Sequence, residues 1–166
     1  MATDNIRNRL AAAGIAAALS LIITFEGTRQ NAYLDPVSIP TICRGHTGGV
    51  KLGQTATIEQ CDELTVQDLL KAKAVLDSCV KVPLNNNQRA AFTSFIFNVG
   101  PGKEGVKDGF CVLRSGRPST MLRLINAGDA ASACREMSKW VYAGDKALQG
   151  LVRRRAAERE LCLRPE

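Results

Sequence analysis

The sequence is poor in aromatic residues, with one tryptophan, two tyrosines and five phenylalanines, and it has a single histidine, His46. Aromatics at 5% leave no stacking platform for bases, and no nucleic-acid-binding motif is present. The net charge of +6 therefore does not by itself make the chain a nucleic-acid binder. One histidine and the lack of any Cys-x-x-Cys pair exclude the usual zinc sites, so neither metal nor cofactor is expected. No apolar run reaches the roughly 20 residues of a permanent membrane span. Internal repeats and low-complexity tracts are absent too. The pI near 9.2 leaves anionic lipid and acidic cell-wall polymers as partners, against the plainer reading of a solvated basic surface.

What is present is more specific. A chain of 166 residues, 45% hydrophobic and 23% charged, suits one globular domain, with room for two lobes sharing a core. Six cysteines (Cys43, Cys61, Cys79, Cys111, Cys134 and Cys162) form an even, dispersed set. Such a set reads as three disulfides made in an oxidising compartment, the bland alternative being buried free thiols. Six cysteines allow fifteen connectivities. Pairing neighbours in order gives 43–61, 79–111 and 134–162, each worth about 3 kcal/mol through loop closure.

Disulfides require export. Residues 1–9 are polar and carry Arg7 and Arg9, and residues 10–25 are uncharged. Cleavage after Ala18 would suit a signal peptide, but the apolar run continues through Leu19, Leu21, Ile22 and Ile23. Only Ser20 and Thr24 interrupt it, so a helix here is apolar all round. Such a helix must be buried on every side or must visit lipid. Arginines on the N-terminal flank place that end in the cytoplasm and the cysteine-bearing body outside. The membrane-visiting reading is preferred over a buried soluble helix because orientation and cysteine content agree.

Downstream, Pro36, Pro40 and Gly45 punctuate a small β-region over residues 31–47. Thr57-Ile-Glu-Gln60 has capping-box form and predicts a helix to Cys79, with Leu64, Leu69, Val75 and Leu76 inward and Pro83 ending it. Ala91, Phe92, Phe95, Ile96 and Val99 predict a central helix ending at Gly100. Residues 100–118 read as a loop pinned by Cys111. Helices follow over 119–127, 130–142 (capped by Asp129) and 146–162, with Met137 and Trp140 in the core. The class is α+β, mostly α.

Glu26 closes the apolar helix, and Asp35 lies in a polar turn nine residues on. Apolar surroundings disfavour the charged form of an acid, which then donates a proton near neutrality. A solvated carboxylate stays ionised. Two carboxyls so contrasted suit glycosidic bond cleavage, with Thr41 placed to hold a water. His46 reads as a structural hydrogen-bonding residue. Arg153, Arg154 and Arg155 read as a solvated helix face from which one reaches Glu26 or the glycan.

Glu, eight residues, Asp, five residues, Thr, then Gly-His, resembles the T4-type phage lysozymes. "FIFNVGPG" (95–102), "STMLRLINAGD" (119–129), "KWVYAGD" (139–145) and "GLVRRRAAERELC" (150–162) also look like family stretches. The resemblance implies a two-lobed fold: a small β-containing lobe over 26–56, a linking helix over 57–80 and a helical lobe over 81–166. It implies cleavage of the N-acetylmuramic acid–N-acetylglucosamine β-1,4 bond of peptidoglycan with inversion. Glu26 then matches the general acid, Asp35 and Thr41 the pair that places water, and Asn98 a substrate contact.

Within the family the chain is similar to lambdoid endolysins with a signal-anchor-release segment, such as that of phage 21. This implies a tethered precursor in the inner membrane with residues 1–25 as anchor, made through the host secretion machinery. A monomer is then released into the host periplasm. Cys43, Cys61, Cys134 and Cys162 match cysteines of that branch, whereas Cys79 and Cys111 have no counterpart. Cys43 stands where many members have glycine, so its bond bears on the site. No cysteine precedes residue 43, so no anchor thiol can displace an active-site disulfide. The rival reading is a non-catalytic cell-wall-binding protein on the same scaffold.

Overall fold

A computed structural model describes residues 2–166, with side chains from residue 4 onward. The apolar N-terminal run is not one helix. α1 (Ala2–Ala12) and α2 (Ala16–Glu26) are separated at Gly14, whose φ of 70° lies in the left-handed region that glycine adopts freely. At 11 residues, α2 extends about 16 Å, roughly half the hydrocarbon thickness of a bilayer. Among the described residues no helix is long and apolar enough to cross a membrane. Nor is α2 buried on every side: Ala18 and Ile22, with Ile15 at the cap, face the core, while Ser20, Ile23 and Thr24 face out.

α1 docks through Ile6 and Leu10, one turn apart, onto the same core. Between them in sequence, Arg9 donates from Nη1 to Glu63 Oε2 at 2.7 Å. That hydrogen bond holds the Glu63 carboxyl below its usual range. Its contribution is present above the ordinary carboxylate range and fades as pH falls through the lowered value. Both partners are well exposed, which keeps the contribution small.

β1 (Arg29–Leu34) and β2 (Pro40–Cys43) form an antiparallel ribbon that pairs Tyr33 with Thr41. The long helix α3 (Ile58–Cys79) begins at the expected capping box, with Thr57 and Gln60 each accepting from the other's backbone N–H. Leu69 and Leu76 face inward as expected, whereas Leu64 turns toward a second, smaller cluster with Ile42 and the half-cystines 43 and 61. α4 (Asn86–Val99) is the central helix, and every residue from Ala90 to Ile96 is buried. Phe110, carried in by the 100–118 loop, sits edge-on to Phe95, and Trp140 closes against Phe95 from the other element with ring centroids 5.4 Å apart.

α6 (Ala130–Glu136) carries the expected Asp129 cap, and α5 (Thr120–Asn126) is capped by Ser119. The helix expected over 130–142 ends early, in a 3-10 turn over Met137–Lys139. A second ribbon follows, β3 (Tyr142–Ala143) with β4 (Lys146–Ala147). Its two-residue loop is Gly144–Asp145, and the φ of 60° at Gly144 suits a hairpin turn. The last helix, α7 (Gln149–Leu163), therefore starts three residues later than expected. The disulfides join Cys43 to Cys61, Cys79 to Cys111 and Cys134 to Cys162, leaving no free cysteine. The small sheet near the N-terminus and the helical remainder make the class α+β, mostly α.

Leu10 is fully buried, so truncating it tests whether α1 docks in solution. Leu10→Ala should lower unfolding stability by about 2–5 kcal/mol in urea titration. An unchanged midpoint would mean that α1 does not pack on the core.

Candidate active site

Glu26 is the last residue of α2, and Gly27, at a φ of 65°, turns the chain toward β1. Its side chain is 22% exposed, and its carboxyl group accepts a hydrogen bond at Oε1 from Arg154 Nη1. The apolar surroundings expected for this acid are therefore not what surrounds its oxygens: α7 delivers a guanidinium. Arg154 and Arg155, expected on a solvated face, are both buried, and only Arg153 of the three is exposed.

Glu158, with no exposed surface, explains their burial. Its Oε1 accepts from Arg154 Nε at 3.1 Å and from Ser94 Oγ at 2.7 Å, and its Oε2 accepts from Arg155 Nη1. Arg155 also donates from Nε to the Trp140 carbonyl at 3.1 Å and from Nη2 to Asn98 Oδ1. Its guanidinium carbon lies 4.7 Å from the Phe95 ring centroid. Burial pushes the Arg155 guanidinium below its usual pKa, partly offset by Glu158. Two guanidinium groups thus meet two carboxyl groups, those of Glu26 and Glu158.

Asp35 and Thr41 share one end of the β1–β2 ribbon. Asp35 Oδ1 accepts from the backbone N–H groups of Val37 and Ile39, both at 2.9 Å, which fixes the carboxylate at the head of the turn. Thr41 is buried, and its hydroxyl donates to the Ile39 carbonyl at 2.9 Å. Beyond Thr41 the chain makes a tight turn closed by two hydrogen bonds between Ile42 and His46. A Cβ placed on Gly45 in this turn would lie 3.8 Å from Glu26 Oε2. The free oxygen of Glu26 therefore faces the turn that follows Thr41.

His46 has the structural role expected of it, with Nδ1 2.7 Å from Asp68 Oδ2 and Nε2 3.1 Å from the Gly48 carbonyl. Asn98 is exposed at the end of α4, joined to Glu26 through Arg155, Glu158 and Arg154. Ile42 and His46 also line a groove of about 460 Å³ with Val50, Gln54 and Leu64, but none of Glu26, Asp35, Thr41 and Asn98 is among its walls. Sequence reasoning missed Ser94 and Glu158. The available signal was Arg154 and Glu158 at i, i+4 spacing, which ordinarily marks an exposed pair.

The family model described as phage lysozyme matches residues 23–158. A SAR-endolysin of Pseudomonas phage phiKMV is 38% identical over 160 residues, covering 94% of this chain and 92% of that protein. A SAR-endolysin of Enterobacteria phage P21 is 36% identical over 170 residues, 96% of each chain. Among solved structures, a mutant lysozyme of phage P22 superposes with a TM-score of 0.73 at 35% identity, covering 89% of this chain and 96% of that one.

Removing the negative charge at Glu158 would leave Arg154 with Glu26 as its one carboxyl partner and the buried Arg155 with none. Glu158→Gln should destabilise the protein by about 3–5 kcal/mol in denaturant unfolding. A change below about 1 kcal/mol would show that the buried pair is not what holds α7 against α4.

Proposed function

The chain belongs to the phage lysozyme family of peptidoglycan-hydrolysing glycoside hydrolases, and from that premise we propose that it cleaves the β-1,4 bond between N-acetylmuramic acid and N-acetylglucosamine. This lyses the bacterial host at the end of phage infection. The observation that carries the reading is the free oxygen of Glu26 facing the turn after Thr41, with Asp35 at the same end of that ribbon.

In this reading Glu26 protonates the leaving glycosidic oxygen while Arg154 fixes its other oxygen in place. A water attacks from the opposite face of the sugar, which inverts the anomeric centre. The Thr41 hydroxyl points its O–H at the Ile39 carbonyl, so its lone pairs are left to accept a hydrogen bond from that water. Asp35, oriented by two amides, takes the other hydrogen as general base. The carbonyl oxygen of Asn98 is committed to Arg155, which leaves its amide N–H groups for the glycan.

We also infer that residues 1–25 tether the newly exported chain to the inner membrane, N-terminus in the cytoplasm. Release into the periplasm as a monomer then docks α1 and α2. While α2 lies in lipid, Glu26 cannot meet Arg154 or the β-ribbon, so the tethered form is inactive.

Glu26→Gln should slow clearing of a peptidoglycan suspension by about 10²-fold or more relative to wild type. Equal rates would remove Glu26 as the acid, and wild type that binds wall material without clearing it would favour the non-catalytic wall-binding reading. In expressing cells, wild-type protein should stay in the membrane fraction until the membrane potential is dissipated. Protein that is cytosolic and reduced throughout would overturn export.

A further inference from the structure

The turn between Thr41 and Glu26 contains a backbone conformation that its sequence does not favour. Residues 43–45 lie between the two hydrogen bonds that join Ile42 and His46, which are 2.9 and 3.0 Å long. Cys43 there has a φ of 61° and Gly45 a φ of 86°. Glycine adopts the left-handed region freely, whereas a residue with a Cβ does so at a cost. Among the described non-glycine residues only Ser38 shares such a φ, and Ser38 sits in the open turn between β1 and β2.

What holds the turn is α3. Cys43 is bonded to Cys61. Arg44 Nη1 donates to Asp62 Oδ1 at 2.8 Å and to Thr65 Oγ1 at 3.1 Å. His46 meets Asp68 at 2.7 Å. Residues 61, 65 and 68 recur on one face of the helix, so the turn is fastened along two turns of α3. The disulfide is the covalent member of this set, and it acts on the residue whose backbone is unfavourable.

We propose that Cys43 is a positioning residue for glycan cleavage: its bond to Cys61 keeps residue 43 left-handed and so sets the turn at Gly45, just after Thr41, against Glu26. The proposal rests on the function assigned above. If residue 43 relaxes to an ordinary φ, the chain leaves Ile42 in another direction. Thr41 and Gly45 then no longer keep their relative placement, and displacements of about 1 Å at such sites lower rates by up to about 10²-fold. Reduction has this effect. A dithiol supplies two electrons and two protons, the sulfur–sulfur bond opens to the Cys43 and Cys61 thiols, and the dithiol leaves as its own disulfide.

Two double variants separate the cross-link from the turn it enforces. Both Cys43→Ala with Cys61→Ala and Cys43→Gly with Cys61→Ala lose the same bond, but only glycine restores free access to the left-handed region. Clearing of a peptidoglycan suspension, followed over substrate concentration well below the melting temperature of each variant, should show kcat about ten-fold lower for the alanine variant with KM little changed. The glycine variant should recover most of that loss. A dithiol should lower the wild-type rate similarly and leave the glycine variant's rate nearly unchanged, although both retain the other two disulfides beforehand. Equal activity of the two variants, or equal sensitivity to the dithiol, would overturn the proposal. Wild type that clears nothing would instead remove the function on which it rests.

Discussion

A carboxylate shut away from water, that of Glu158, is the contact on which the arrangement of this molecule turns. Buried charge is costly unless every oxygen is met, and Ser94, Arg154 and Arg155 meet both of them. Replacing such a cluster by apolar residues often leaves a protein equally stable, so net stability does not account for it. Direction does. Each guanidinium has further N–H groups in a rigid fork, and Glu158 aims those forks outward, Arg154 to Glu26 and Arg155 to Asn98. Both residues sit in the proposed site.

The position of Glu26 makes that aim necessary. A carboxylate at the C-terminal end of a helix meets the negative end of the helix dipole, and α2 has no basic residue in its last turn. The missing cation comes from 128 residues away in sequence. Glu26 can therefore be held only when α2 and α7 are both docked on α4. On the other side the β-ribbon supplies Asp35 and Thr41, and it is fastened to α3 rather than to α4. The site joins two separately supported parts, which suits a cleft that must admit a polymer.

Legibility followed locality. The capping box at Thr57 and the cap at Asp129 depend on side chains three residues from their partners, and both were readable. The spacing of Glu26, Asp35 and Thr41 was readable because a ribbon and its turn fix it within sixteen residues. Glu158 was not, because "RRRAAERE" has the composition of an exposed helix, and only the distant Ser94 and Glu26 show otherwise. The apolar run was misread as one helix because its single glycine looked like tolerated composition. Gly14 instead turns the chain directly on Asn86 and Arg89, whose side-chain atoms lie 2.6 Å from where its Cβ would be. The β3–β4 ribbon turns at Gly144–Asp145, between two expected helices, and with two residues per strand it is too short to show an alternating pattern.

The same turn at Gly14 bears on how one segment serves lipid and core in the tethered form proposed above. Leu10, Ile15, Ala18 and Ile22 leave water in either setting, so their burial barely distinguishes the two. Backbone does. In hydrocarbon every N–H and C=O must be paired within the segment, which favours an unbroken helix across residues 10–25. In the docked form the break at residues 13–15 is stabilised by its own turn, with Gly14 N–H bonded to the Ala11 carbonyl and Ile15 N–H to the Leu10 carbonyl. Arg9 adds its bond to Glu63, a partner that exists only on the folded body. In that proposed tethered form, weak hydrophobicity and a glycine at residue 14 would act as one property, letting the segment leave the bilayer because the body offers it a different backbone path.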